Sequence, residues 1–329
     1  MVERVARSQV AGVGARGWRG LALIGAWAVA GLVPLLGAGD DLLTLLFRIC
    51  LFVALAQSWN ILAGFTGQTS LGHAAFFGIG ALVTRTLWLG GMPFPVAFAL
   101  GGLAATAFAM IIGTPTFRLR GAYFAIGTLG VAEVLRITVA QGMPLITSLS
   151  PAEIVAYSMA TRYQLALGLA IVTSVVALLA RRSPLGLGLL AVREDEEAAR
   201  ASGVNVLAHK LLALALCSFF AGLAGGAFAY QQVSYYPAAP FGPLWTFDAV
   251  LIAYVGGLGT IAGPIIGALF FIVVQERLAL SFEQGQQIIF GVLFILVVLI
   301  FPGGLVEGWS RLYRLLSARF GAKHTQSRE

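Results

Sequence analysis

Lysine is almost absent from this chain. Of 21 basic residues only Lys210 and Lys323 are lysines, and neither stands in a Gly-x-x-x-x-Gly-Lys-Ser/Thr frame. Lys210 follows Asn205-Val206-Leu207-Ala208-His209 and precedes Leu211, and Lys323 precedes His324. A Walker-type loop needs its glycines and lysine to cradle phosphates, so no such ATP site is present. Charge is scarce as well: 11% of the 329 residues are charged and 59% are hydrophobic. An ordinary soluble domain carries roughly 25% charged residues, and a soluble chain of this length could not cover its surface with so few. The same numbers exclude intrinsic disorder, which goes with low hydrophobicity and high charge. The two cysteines, Cys50 and Cys217, sit in apolar runs and imply no disulfide framework. His73, His209 and His324 share no ligand spacing, so no metal site is expected. No nucleophile motif or clustered acid/base constellation marks an enzyme.

What the chain does have is long apolar runs, with a mean hydropathy of +0.89. Lipid is the solvent that fits, and the expected fold is an all-α polytopic membrane protein of about 8–10 transmembrane helices, since a span needs about 20 largely apolar residues. Candidate spans lie near 21–38, 43–62, 71–89, 95–112, 122–140, 165–180, 211–230, 247–274 and 287–301. The first is longer than the roughly 7–15 residues of a signal-peptide core. It is therefore expected to stay uncleaved, behind a cytoplasmic basic N-terminus (1–20) carrying Arg4, Arg7, Arg16 and Arg19. A membrane domain would then occupy 21–303, with a basic tail at 304–329. The net charge of +7 would suggest nucleic acid in a soluble protein. Here the basic residues fall in short segments between spans, as cytoplasmic loops do, and no nucleic-acid partner is expected.

Charge parity follows the positive-inside rule through the first two thirds. Arg118 and Arg120 fall inside, residues 90–94 are uncharged, and 141–163 hold only Glu153 and Arg162. The polar stretch 181–210 contains Arg181, Arg182, Arg193, Arg200 and Lys210 and lands inside. Three further straight spans would put the tail outside, with its Arg311, Arg314, Arg319, Lys323 and Arg328. The run 247–274 is too long for one span and is interrupted at Gly256-Gly257-Leu258-Gly259-Thr260-Ile261-Ala262-Gly263-Pro264. Such a break is tolerated at membrane depth only where protein buries it or water lines it. A broken or re-entrant segment that returns the tail inside is expected; a straight tilted span with an external tail is the alternative. Four-residue glycine spacings at Gly259, Gly263, Gly267 and at Gly222, Gly226 point to close helix contacts.

Several polar features stand out against this background. The run Arg193 to Gly203 reads as one short helix with acidic residues in its first turn and glycine at its C-cap. It is either a solvated connector or a docking helix for a cytoplasmic partner. Ionisable groups within spans are costly and often functional; here they are Arg48, His73, Arg85, Glu133, Arg136 and Asp248. Glu133 and Arg136 share a helix face and would serve either a pathway for a zwitterion or a structural pair. Arg85 could reach toward headgroups, and Asp248 could cap the broken segment. Asn60, Gln68, Ser70 and His73 form a candidate pathway or gate cluster.

Four motifs, in order, carry a family likeness. They are Asn60 to Ala81 (Asn-Ile-Leu-Ala-Gly-Phe-Thr-Gly-Gln-Thr-Ser-Leu-Gly-His-Ala-Ala-Phe-Phe-Gly-Ile-Gly-Ala) and Arg118 to Gly130 (Arg-Leu-Arg-Gly-Ala-Tyr-Phe-Ala-Ile-Gly-Thr-Leu-Gly). Ser183-Pro184-Leu185-Gly186 through Gly203, and Gly256 to Thr260 with Gly263-Pro264 and Gly267, complete the set. Together they resemble the permease subunits of bacterial branched-chain amino acid ABC transporters, LivM type. The resemblance implies an inner-membrane permease without cofactor or ATP site, driven by separate ATP-binding cassette subunits. It also implies a second homologous permease subunit and an extracytoplasmic substrate-binding protein as partners. By match to that family's coupling loop, Glu194, Asp195, Glu196, Ala198, Ala199 and Gly203 are the expected ATPase-coupling residues. Branched-chain or related neutral amino acids are the implied substrates. Permeases for urea or short-chain amides look similar, and an ion-coupled secondary transporter is the rival class, although no repeat of one half in the other is visible.

Overall fold

The computed structural model describes residues 31–119, 121–143, 145–281 and 303–308, with isolated positions at 27 and between 289 and 299. The N-terminal basic segment, Arg120, half of the first expected span, most of the last and the tail beyond 308 lie outside the described residues.

In chain order the helices are α1 (Asp40–Thr66), α2 (His73–Leu89), α3 (Phe94–Thr116), α4 (Ala122–Gly142) and the short α5 (Pro151–Val155). They continue with α6 (Met159–Arg182), α7 (Pro184–Glu194), α8 (Glu196–Ala201), α9 (Val206–Gln231), α10 (Pro243–Gly256) and α11 (Ala262–Ser281). Among the described residues α1, α3, α4, α6 and α9 are long and apolar enough to cross a membrane. The chain is an all-α polytopic membrane protein. Among the described residues the one departure is a two-residue antiparallel bridge between β1 (Thr147–Ser148) and β2 (Ser234–Tyr235), too short to announce itself in sequence.

Helix α1 is the central post. Asp40 and Asp41 occupy its first turn, where the helix dipole favours carboxylates, and Gly67 ends it in the left-handed conformation, φ +74°. Every residue from Cys50 to Thr66 is buried, because α6, α9, α10 and α11 pack around it. Helices α3 and α4 instead expose Ile111, Tyr123, Ile126 and Val134, an outer apolar surface that suits lipid. Small residues set the closest approaches: a side chain at Gly80 would strike the Gly222 backbone, and one at Gly225 the Phe77 carbonyl.

The long run 247–274 is resolved as two antiparallel limbs. Gly256 of α10 meets Gly263 of α11, and Ile252 meets Gly267, so the helices form a hairpin around the break at 257–261. Gly257 and Gly259 take φ values of +127° and +76°, which favour glycine. The turn abuts Gly64 near the end of α1. Gly304 packs against Gly257, so the chain comes back to this same end of the bundle after α11. The straight-span alternative is thereby set aside.

Three readings from the sequence need correction: Arg85, Asp248 and the run 193–203. Arg85 does not reach for headgroups: it is 2% exposed and donates to the carbonyls of Ala229, Gln232, Thr147 and Val233. Arg162 donates likewise to Tyr230 O, with its guanidinium 3.6 Å from the Tyr157 ring centroid. The last carbonyls of a helix lack intrahelical partners, and these two cations satisfy them at the end of α9. Asp248 is not a cap, since α10 starts at Pro243 and places it in the helix interior. The stretch 193–203 is not one helix: Asp195 ends α7 and opens α8. Finally, residues 232–242 fold back into the bundle, where buried Phe241 lies against Gly78.

Candidate functional site

The charged loop between α6 and α9 is built by successive caps. The Ser183 side chain accepts from the Gly186 amide, with Pro184 at the first position of α7. Asp195 Oδ1 accepts from the amides of Glu197 (2.8 Å) and Ala198 (3.0 Å). Gly203 has φ +86°, and the Asn205 side chain accepts from the Ala208 amide to start α9. Each element is too short to be stable alone, so caps and a small apolar cluster of Val192, Ala199 and Val206 hold it together. The Ala198 and Glu197 amides keep the Asp195 carboxyl below the usual carboxylate range.

Two long contacts tie this loop to the bundle. Glu196 accepts from Lys210, itself 5% exposed, and from Gln68 Nε2 at 3.2 Å. Arg193 Nη1 donates to Gly64 O at 2.8 Å and lies against Gly259 in the hairpin turn. Asn60, fully buried, completes the connection: its Oδ1 accepts from the Gly259 amide (2.8 Å) and its Nδ2 donates to Thr260 O (2.9 Å). Loop, end of α1 and hairpin turn therefore form one hydrogen-bonded unit. Outside it opens a pocket of about 340 Å³ lined by Gln68, Asp195, Glu196, Glu197, Arg200 and Lys210, with Leu119 and Gly121. Its rim carries both signs of charge and could receive a polar segment of another protein.

Of the loop residues singled out in the sequence, Glu194, Asp195, Ala198 and Gly203 are exposed, Glu196 is half-buried and Ala199 points inward. Those singled out within the spans are not one cluster. Gln68 faces the loop; Ser70 accepts from the Gly72 amide, and its carbonyl from Trp59 Nε1. His73, fully buried, bonds Ser58 at 2.8 Å. Glu133 and Arg136 form a two-bond ion pair (2.9 and 2.5 Å) on a half-exposed face of α4, beside Tyr236 and Pro243. Arg193 and Lys210 are the residues that sequence reasoning passed over. The available signal was that Lys210 is the one lysine ahead of the tail.

Comparison with known proteins follows the same lines. Residues 42–298 match the family described as branched-chain amino acid transport system / permease component. Over 293 residues, covering 78% of this chain and 68% of the relative, the chain is 30% identical to the high-affinity branched-chain amino acid transport system permease protein LivM of Salmonella typhimurium. The protein of that name from Escherichia coli is 29% identical over the same coverage. No solved structure matches.

Proposed function

The chain belongs to the LivM-type family of branched-chain amino acid transport permeases, and on that premise we propose that it is the membrane-spanning subunit of an ABC importer. Its cargo is a branched-chain or related neutral amino acid, delivered by an extracytoplasmic binding protein and passed across the inner membrane beside a second permease subunit. ATP is hydrolysed on separate cassette subunits that dock on α7 and α8. Residues 1–20, the loop 181–210 and the tail 304–329 face the cytoplasm, and 21–303 form the permease domain. The observation that carries this reading is the connection from the loop to the hairpin. A partner that shifts α7 and α8 pulls on Gly64 through Arg193, and on the turn that Asn60 holds at Gly259 and Thr260. Coupling needs a contiguous element that both sites can bias, and this unit is one.

The contact surface for the ATPase is the exposed set Glu194, Asp195, Glu197 and Ala198 around the mixed-charge pocket, while Glu196 and Ala199 hold α8 in place. The test is L-leucine uptake into proteoliposomes holding the chain with its cassette subunits, partner permease and binding protein. Uptake should require ATP and persist when ionophores collapse all ion gradients. Uptake driven by a sodium or proton gradient without ATP would make the chain a secondary transporter and overturn the proposal.

A further inference from the structure

At the end of the bundle remote from the charged loop, a cavity of about 430 Å³ opens between α1, α9, α10 and α11. Its volume lies in the lower part of the roughly 300–1,000 Å³ of small-molecule sites. One wall is aromatic: Phe52 stacks on Trp245 with centroids 5.6 Å apart, and Phe228 meets Trp245 edge-on at 4.8 Å. Phe47, Leu51 and Leu244 extend the apolar lining, and the polar lining groups include one charge of each sign, Arg48 and Asp248. Arg48 donates to Glu276 (2.8 Å) and Gln275 (3.2 Å). A guanidinium has five N–H donors, so its planar fork retains others that suit a second carboxylate. Among the described residues the Asp248 carboxylate is in no salt bridge. A carboxylate inside a membrane domain is costly unless a cation meets it.

We propose that this cavity is a transient binding site for the zwitterion of an α-amino acid with an apolar side chain. The ammonium group meets Asp248, the carboxylate meets Arg48, and the side chain lies on Phe52, Trp245 and Phe228. Urea and neutral amides carry neither charge, so the site selects amino acids over the substrates of the similar permeases. This rests on the permease reading above and names where its substrate is held. The two charges also stand on parts that the hairpin can move: Asp248 is on α10, and Arg48 on α1 is held by Gln275 and Glu276 of α11.

The experiment measures tryptophan fluorescence of the purified transporter, without binding protein, as L-leucine, isopentylamine or urea is added. Trp245→Phe identifies the part of the signal that belongs to the cavity. L-Leucine should give a saturable change and urea none. Asp248→Asn, which keeps the shape and removes no ion pair, should weaken leucine and isopentylamine at least about tenfold, the value of one charge-assisted hydrogen bond. Arg48→Gln should weaken leucine by a similar factor and leave isopentylamine, which has no carboxylate, unchanged. Since misfolding would lose both ligands, that split separates recognition from damage. If Asp248→Asn binds leucine as the wild type does, or if Trp245→Phe leaves the signal intact, the site is wrong while the permease reading stands. If the wild-type complex with its binding protein also fails to import any amino acid, the permease reading fails with it.

Discussion

Asp195 is a single carboxylate on which the start of α8 depends. Its two backbone bonds lower its folded pKa below the unfolded value of about 3.9. A depressed carboxyl contributes its stabilisation above the unfolded pKa and loses it as pH falls through the folded one. Hydrogen exchange at the Glu197 and Ala198 amides, corrected for intrinsic rate, should therefore be flat near neutrality and quicken only below about pH 4. Asp195→Asn should retain the cap without that pH dependence, and Asp195→Ala should quicken exchange at every pH. Arg85 bears a larger load, with four carbonyls converging on a buried guanidinium. Arg85→Leu strips them of their donor and should cost on the order of 3 kcal/mol, seen as a marked fall in melting temperature in detergent. Neither role was visible in the sequence. An ionisable residue in an apolar run shows its cost but not its partner, and the partners of Arg85 lie at 147 and at 229–233, far along the chain.

At the scale of elements, spacing carried more information. Helices with apolar residues on all faces announce themselves, and the four-residue glycine repeats marked real contacts: Gly222 faces Gly102 and Ala105, and Gly263 and Gly267 face α10. Where the break fell was legible, because glycines and Pro264 cannot continue a helix cheaply. A re-entrant course was among the expected ones; what fixes the turn was not legible, since it is held by Asn60, two hundred residues upstream. The split between α7 and α8 was hidden for another reason: Asp195 sits among acidic neighbours, and its role as a cap shows only in its extended backbone, φ −159°. Gly267→Val places its side chain on the Ile252 carbonyl. The overpacking should destabilise the hairpin by about 3 kcal/mol, measured as lowered thermal stability, whereas Gly130→Ala, where nothing lies close, should change little.

Over the whole molecule, the parts of the candidate site gather at one end. The loop, the end of α1, the hairpin turn and residues 303–304 share that end of the bundle, and the aromatic-walled cavity is remote from it. With the native Cys50 and Cys217 buried, cysteines at Glu197 and Ser317 should both resist an impermeant thiol reagent in sealed right-side-out vesicles and react in inverted ones. On the proposed reading ATP is hydrolysed on a separate subunit, and the exposed face of α8 is the surface that subunit would meet. ATP-driven L-leucine uptake by the reconstituted transporter carrying Ala198→Trp tests this most directly, because Ala198 is exposed and the bulk enters no packed core. Uptake should fall to background while insertion and melting temperature stay at the wild-type level; uptake at the wild-type rate would contradict the account.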